Sequence, residues 1–231
     1  MTRVRLFTSK LLVMGIFVVP MESGKDWQIL KYRKIEPNKV EFSQEGLSIQ
    51  VKNSASPVIF PLPSIMKLSA VHITGQIEGD LNLPEEIGQG EKGADDYQIR
   101  IGLVIKGDRR LNFVQKAMAA DWVVKLFDLA PKDVGVDHIL FLNGTRKSDH
   151  VGSKREHPAS DLIMEQVVWK IPENGGFDLK HEFTANPDVL ALWLSSDGDD
   201  TRSAYRVRFK KIELHPLESG GVGQAGADDA N

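Results

Sequence analysis

The sequence predicts an all-β fold, a two-sheet antiparallel β-sandwich with one amphipathic helix insertion. Apolar residues alternate with polar ones over several short segments, and the clearest series is Tyr97, Ile99, Ile101, Leu103 and Ile105. The run Val189–Leu194 is continuously apolar, as in a strand that is buried on both faces. Only one segment has helical spacing. From these patterns we expect about eight to ten strands around a single core.

The first 24 residues are predicted to be an export signal or an N-terminal tether. Three basic residues, Arg3, Arg5 and Lys10, precede an uncharged run over residues 11–21. This run is too short to span a bilayer comfortably, and no clear small-x-small pair marks a cleavage site. The alternative is that it forms a buried strand or helix. We therefore expect an exported protein, periplasmic or extracellular, with the sandwich domain at residues 25–217.

Composition limits the class of protein further. The 231 residues are 41% hydrophobic, which is enough for one core, and they include no cysteine, which excludes disulfides and a lipid-modified cysteine. The formal charge of −3 becomes −5 without residues 1–24, which hold three basic residues and one acidic residue. A mildly acidic surface argues against nucleic acid as a partner. Residues 218–231 are polar and glycine-rich and are predicted to be a disordered tail.

Strand patterns in the first half begin with Leu47, Ile49 and Val51, which alternate with polar residues. Prolines 57, 61 and 63 then confine the next strand to an edge or a strand end, because proline cannot donate to the ladder. A further alternation over residues 71–78 leads into a long polar insertion, residues 79–96, before the central strand. We expect that insertion to be a mobile or functional loop.

The second half contains the helix and the closing strands. Apolar residues recur at helical spacing over Val114–Leu129, and Pro131 ends the helix. Strand patterns resume at residues 139–142, 163–171 and 189–194. In the last strand the apolar residues occupy odd positions up to Phe209 and even positions from Ile212 onward. This change predicts a β-bulge at Lys210 and Lys211.

Four stretches, taken in order, resemble an exported bacterial family that is known only as a domain of unknown function. They are Asn53-Ser54-Ala55-Ser56, Asp95-Asp96-Tyr97 with Arg100, the Phe113–Pro131 insertion, and Ser196-Asp197-Gly198-Asp199-Asp200-Thr201. The resemblance covers most of residues 27–214. It implies a jelly-roll-like sandwich similar to galactose-binding domains, and sandwiches of this shape often bind carbohydrate. It brings no catalytic residue.

The candidate site residues are mostly acidic. Asp197, Asp199 and Asp200 lie on one short turn, where flexible carboxylates can bind a hard cation such as calcium. The alternative is an ordinary Asp/Gly turn between two strands, because the spacing is not that of an EF-hand. Asp95 and Asp96 precede the central strand and are candidate ligand-binding residues.

Arg100 completes the candidate ligand-binding set. It is predicted to point away from the face that carries Ile99 and Ile101, where it is either solvated or a planar fork for a carboxylate or a sugar hydroxyl. The tryptophans are expected to lie mostly in the core or the helix rather than in a sugar-stacking platform. The histidines are scattered along the chain and predict no transition-metal site; they are His72, His138, His150, His157, His181 and His215.

No catalytic residue is predicted, since the chain contains no nucleophile-elbow, phosphate-loop or dinucleotide motif. The leading hypothesis is a non-catalytic exported sandwich that binds a glycan or another cell-envelope component through its loop edge. One alternative is an envelope glycoside hydrolase with paired carboxylates. Another is a protein-interaction module whose basic loop, residues 146–155, docks an acidic partner.

Overall fold

A computed structural model describes residues 15–158 and 160–217. The predicted signal or tether therefore lies largely outside the described residues, and the predicted tail lies wholly outside them. The strands are β1 Phe17–Val18, β2 Gln28–Ile29, β3 Lys39–Ser43, β4 Gly46–Lys52, β5 Val58–Asp80, β6 Ile99–Gly107, β7 Gly135–Thr145, β8 Lys154–His157, β9 Ser160–Lys170, β10 Gly175–Glu182, β11 Asp188–Ser195 and β12 Ala204–Pro216. The helices are α1 Phe113–Met118 and α2 Asp121–Asp128, and a 3₁₀ turn covers Ser148–His150.

The strands form two layers that share β5. The first sheet contains β3, β4, β12, the second half of β5 and β10, with β1 added on β12. The second sheet contains β2, the first half of β5, β11, β6, β7, β9 and β8. The strand β5 passes from the second sheet into the first. The predicted all-β sandwich is confirmed, although β7 and β9 pair in parallel.

The main core lies between the two layers, where period-two alternation brings one face of each sheet inward. Leu47 and Phe209 of the first sheet and Ile101 and Leu192 of the second are fully buried in it. The apolar run at Val189 is buried throughout, as expected. The predicted bulge is also confirmed, because the register of β12 against β5 shifts between Phe209 and Lys211.

Residues near the N-terminal boundary pack into this core. The pair Phe17–Val18 bonds to Leu214 and Glu213 of β12, and Val19 and Met21 are buried. Residues 17–21 thus contribute a two-residue strand, in which Val18 is exposed, and two buried side chains. The division of the chain at residue 24 stays a prediction.

The helical insertion consists of two short helices instead of a single one. The side chain of Asn112 caps α1 and bonds reciprocally with Gln115, but Ala119 and Ala120 are extended, which breaks the helix. The apolar residues Val114 and Met118 are consequently exposed, whereas Leu126 of α2 is fully buried. The helical spacing of apolar residues continues from α1 into α2, so the sequence pattern gives no sign of the break at Ala119 and Ala120.

A second apolar cluster lies on the outer face of the second sheet. Leu126 packs there with Val104, Ile139 and Ala191, so α2 covers part of that face. No helix among residues 15–158 and 160–217 is both long enough and apolar enough to cross a membrane.

Candidate ligand-binding site

A cavity of about 460 Å³ lies on the outer face of the second sheet, beside the part that α2 covers. Its walls come from β6, β7, β8, β9 and β11, from α2, and from four segments outside the strands and helices: the segment before β3, the link between β4 and β5, the end of the polar insertion and the acidic turn. The lining residues are Tyr32, Ile35, Ala55, Asp95, Asp96, Arg100, Trp122, Ile139, Phe141, His157, Ser160, Ile163, Trp193, Ser195, Asp197, Asp199 and Asp200. The cavity therefore combines aromatic rings with carboxylates, a combination that suits polar organic ligands.

A glycine lies between two of the aromatic residues that line the cavity, Trp193 and Phe141. Gly102 on β6 is the register partner of both Trp193 on β11 and Phe141 on β7. A Cβ atom on Gly102 would lie 2.5 Å from the Trp193 carbonyl oxygen and 2.8 Å from the Phe141 ring. The missing side chain thus allows these groups to approach each other closely.

Trp122 and Tyr32 form the aromatic side that is accessible to solvent, since both are only partly buried. Next to Tyr32, Arg33 donates two hydrogen bonds of 2.9 Å to the carboxylate of Asp121 at the start of α2. Burial, with a smaller contribution from the charge of Asp197, raises the pKa of Tyr32 to about 12. Its hydroxyl therefore remains protonated and can donate to a ligand.

An ion network lies beneath the cavity. The guanidinium of Arg100 binds the Asp197 carboxylate at 2.8 Å and also binds Glu165. Arg155 donates from Nε to the other oxygen of Glu165 at 2.6 Å. Glu165 is only 2% exposed and Arg100 only 7%, so each charge depends on its partners for compensation.

Arg100 is surrounded by aromatic rings and carboxylates. Its guanidinium lies 4.8 Å from the ring centre of Phe141 and 5.1 Å from that of Tyr97. Burial opposes its charge, but Asp197 and Glu165 outweigh that effect and raise the pKa of Arg100, so it stays charged. Its Nε is buried and has no hydrogen-bond partner in residues 15–158 and 160–217.

Tyr97 differs from its predicted placement. The alternation placed it on the inward face with Ile99, yet β6 begins only at Ile99 and the Tyr97 ring lies beside Arg100. Tyr97 precedes the ladder, and its backbone N–H donates to the Asp197 carboxylate at 2.7 Å. This contact with the acidic turn, rather than a strand partner, sets its orientation.

Asp95 binds two basic side chains of β8. His157 contacts one carboxylate oxygen at 2.9 Å and Arg155 the other at 3.1 Å. Burial raises the pKa of Asp95, but the His157 hydrogen bond and the charge of Arg100 together lower it below its ordinary value. Asp95 is therefore ionised at neutral pH.

Asp96 lies beside it in a different environment. Its carboxylate accepts hydrogen bonds from the backbone N–H and the hydroxyl of Thr201, at 2.7 and 2.6 Å. Burial, and then the nearby charge of Asp197, raise the pKa of Asp96 to about 6. Asp96 lines the cavity, but its oxygens also hold the acidic turn in place.

The three aspartates of the predicted calcium turn point toward different partners. Asp197 binds Tyr97 and Arg100, while Asp200 accepts from the backbone N–H of Gly93 at 2.9 Å. Their carboxylates do not converge within metal-binding distance in the part of the chain that the structure describes. Asp199 lines the cavity, and burial followed by the charge of Asp96 raises its pKa. Two carboxylates of the turn thus bind other parts of the protein, and calcium binding by the turn stays a prediction.

A different group, Asp95, His157 and Glu165, has ligand atoms within 4.8 Å of one another. This arrangement does not suit a metal ion. Arg155 contacts both carboxylates and Arg100 contacts Glu165, so guanidinium groups already provide the positive charge at this position.

Sequence reasoning brought Asp95, Asp96, Arg100 and the acidic turn together correctly as neighbours, but it missed Glu165, Arg155 and His157 as parts of the site. The usable signal was Glu165, a charged residue inside the strand pattern of residues 163–171. The basic loop, residues 146–155, is predicted from the sequence as a surface that docks an acidic partner. Arg155 instead binds Glu165, and Arg146 donates to the side chain of Gln98 at 3.0 Å.

A scan of protein-family models gives no match to this chain, and a search of curated proteins gives no significant match. The predicted membership of an exported family therefore stays a prediction.

Similar folds are found among solved structures. A xylan-binding module is 8% identical, with 88% of this chain and 97% of that chain covered and a TM-score of 0.36. A family 11 carbohydrate-binding module from Clostridium thermocellum, in complex with a mixed-linked tetrasaccharide, is 10% identical, with coverages of 88% and 98% and a TM-score of 0.38. The enzymatically active domain of a tailspike protein from bacteriophage CBA120 is 6% identical, with 84% of this chain and 20% of that chain covered and a TM-score of 0.37. At such low similarity no ligand or activity transfers from these proteins.

Proposed function

We propose that the protein is a non-catalytic glycan-binding module whose ligand occupies the cavity on the outer face of the second sheet. The observation that carries this proposal is the pairing of accessible aromatic rings with polar groups around one cavity of about 460 Å³. The apolar face of a sugar ring packs on an aromatic side chain, while its hydroxyls donate to carboxylates and accept from a protein O–H or N–H. Trp122 supplies the ring, Asp95 and Asp199 the acceptors, and the Tyr32 hydroxyl the donor.

The charge of the cavity favours a neutral saccharide. Five aspartates line it, against one arginine. An added anion, such as a uronic acid or a phosphate, would lie among these carboxylates in a partly desolvated site, where repulsion between like charges is poorly screened. Neutral hydroxyls instead complete the hydrogen bonds of the carboxylates without adding charge.

The test is a glycan array with the purified full-length protein, followed by calorimetric titration of each glycan that binds. Trp122→Ala is expected to weaken binding about 2- to 12-fold, because an aromatic packing contact contributes about 0.5–1.5 kcal/mol beyond its buried area. The matched control is Phe113→Ala, since Phe113 belongs to the same insertion, is 88% exposed and lies outside the cavity. Equal affinities for the wild type and Trp122→Ala, or an array without signal, would contradict the proposal.

The hydrolase alternative has one observation in its favour. Asp96, with a pKa of about 6, and Asp95, with a lowered pKa, are adjacent carboxyls that differ in their protonation, and such pairs serve as acid and base in glycosidases. The hydrogen bonds from Thr201 to Asp96 oppose this role. Release of reducing ends from a neutral polysaccharide, abolished by Asp96→Asn, would replace the binding proposal with hydrolysis.

We also propose that the protein is exported, on the basis of the basic residues and the apolar run at its N-terminus. Because Val19 and Met21 are buried, we expect any processing to leave residues from Phe17 onward in the mature chain. N-terminal sequencing of protein recovered from a cell-envelope fraction tests this. A start at Lys25 would contradict the expected boundary, and recovery from the cytoplasm alone would contradict export.

A further inference from the structure

Two histidines and a glutamate converge on the outer face of the first sheet, on the opposite side of the sandwich from the cavity. His72 on β5 is the register partner of Glu213 on β12. His215 follows two residues later on β12, and therefore on the same face as Glu213. The intervening residues Ile212 and Leu214 are fully buried, so Glu213 and His215 belong to the outer face.

The side chains are already close together. One ligand atom from each of His72, Glu213 and His215 lies within 4.8 Å of the other two, and His72 Nδ1 is 2.9 Å from Glu213 Oε2. A tetrahedral zinc ion with ligand distances of about 2.0–2.1 Å needs ligand atoms roughly 3.4 Å apart. Side-chain movements of about 1 Å are enough to reach that spacing, and the paired strands hold the backbone positions.

The other ring nitrogen of His72 also has a partner. His72 Nε2 lies 2.7 Å from the carboxylate of Asp178 on β10. A metal-bound histidine commonly donates its second N–H to a carboxylate, which fixes the tautomer and the ring orientation. Asp178 is positioned to accept this hydrogen bond when Nδ1 binds an ion.

His215 provides an independent indication. Its Nε2 is buried and has no hydrogen-bond partner among residues 15–158 and 160–217. A buried imidazole nitrogen without a partner loses the hydrogen bonds that water would provide. Either ring nitrogen of a histidine can bind zinc, and an ion bound to Nε2 of His215 would give this atom the partner that it lacks.

We propose that His72, Glu213 and His215 bind a divalent transition-metal ion of the zinc class. Two imidazoles and a carboxylate match the ligand preference of zinc, and three protein ligands leave the fourth tetrahedral position to water. The ion links β5 to β12. The sequence did not reveal this site because 141 positions separate His72 from Glu213, and only their register brings them together.

One cation competes for the site. Lys211 Nζ lies 3.0 Å from Glu213 Oε1, on the carboxylate that the ion would share. This lysine is 46% exposed and can turn into solvent. Its removal should therefore strengthen metal binding, an effect that partial unfolding cannot imitate.

The experiment uses untagged full-length protein that has been treated with a chelator and then dialysed. Zinc is titrated by calorimetry and cobalt(II) by visible absorption, because tetrahedral cobalt gives strong bands. We expect about one equivalent of either ion to bind. His72→Gln and His215→Gln should each weaken binding at least about 10-fold, and Asp178→Asn about 10-fold. Lys211→Ala should tighten it roughly 2- to 5-fold, the value of an exposed ion pair.

His150→Gln is the matched control, because His150 lies in the 3₁₀ turn and belongs to neither cluster of potential metal ligands, and binding should be unchanged. Circular dichroism confirms that each variant is folded. Absence of zinc and cobalt binding by the wild type would overturn the proposal. It would also be overturned if the double variant His72→Gln/His215→Gln bound like the wild type, or if His157→Gln abolished binding, which would place the ion at Asp95 and Glu165. None of these outcomes would bear on glycan binding at the cavity, which lies on the other side of the sandwich.

Discussion

The two outer faces of the sandwich differ in how deeply their charged side chains are buried. On the outer face of the second sheet, α2 covers an apolar patch, and the adjacent cavity lies over an ion network that is almost fully buried. On the outer face of the first sheet, ion pairs such as Arg208 with Glu45 and Arg206 with Glu78 remain exposed. Charges contribute little where water screens them, and they become structurally essential where water is excluded.

The strongest test of this difference is Arg100→Ala. The substitution leaves Asp197 and Glu165 buried without their shared cation, and it should lower the free energy of unfolding by about 3–5 kcal/mol. Urea denaturation monitored by tryptophan fluorescence measures this change. Arg208→Ala on the other face is the control, with an expected change of about 0.5 kcal/mol or less. Similar losses in the two variants would mean that the faces do not differ in this way.

A smaller effect is expected when α2 loses its anchor. Leu126→Ala creates a cavity against the second sheet and should cost about 3 kcal/mol in the same urea experiment. Val114→Ala, in exposed α1, should change stability by about 0.5 kcal/mol or less. If Leu126→Ala were equally neutral, α2 would not be docked on the sheet.

The smallest effect concerns pH. The pKa of Asp96 is raised to about 6 from an ordinary value of 3.8, so the native state binds this proton more tightly than the unfolded chain. Its stabilising contribution is complete below about pH 4 and is lost as the pH rises through about 6. The stability of Asp96→Asn relative to the wild type should therefore rise by about 1–2 kcal/mol between pH 4 and 7.

Glu182 on the first sheet provides a control, because its effect on stability should change with pH in the opposite direction. The hydrogen bond from Lys180 lowers the pKa of Glu182, which is exposed on β10. Its contribution is present at neutral pH and is lost as the pH falls through its lowered pKa. The stability of Glu182→Gln relative to the wild type should therefore fall as the pH rises, whereas that of Asp96→Asn should rise. Slopes of the same sign would contradict the assigned environments of the two carboxyls.

Local patterns predicted much of the fold. The strand over Ile99–Ile105 and the bulge at Lys210 follow from side-chain alternation, and the buried strand at Val189 follows from a continuous apolar run. Both patterns are properties of neighbouring residues. The break between α1 and α2 was missed because Ala119 and Ala120 are compatible with a helix. The parallel pairing of β7 with β9 was missed because no local pattern encodes which strands become neighbours.

The site was predicted only in part, for the same reason. Asp95, Asp96 and Asp197 stand out as acidic residues beside strands. Glu165 and Arg155 belong to the site only because β9 lies between β7 and β8. The function of Asp197 as a partner of Arg100 likewise depends on the pairing of β11 with β6.

The strand β5 has a consequence for how this protein can be divided. Its 23 residues belong to both layers, so any cut that separates the layers must also sever this strand. Fragments made on either side of it would each expose half of the apolar interior, and neither should refold by itself. The two layers therefore cannot be exchanged as independent pieces, whether by recombination or by protein engineering.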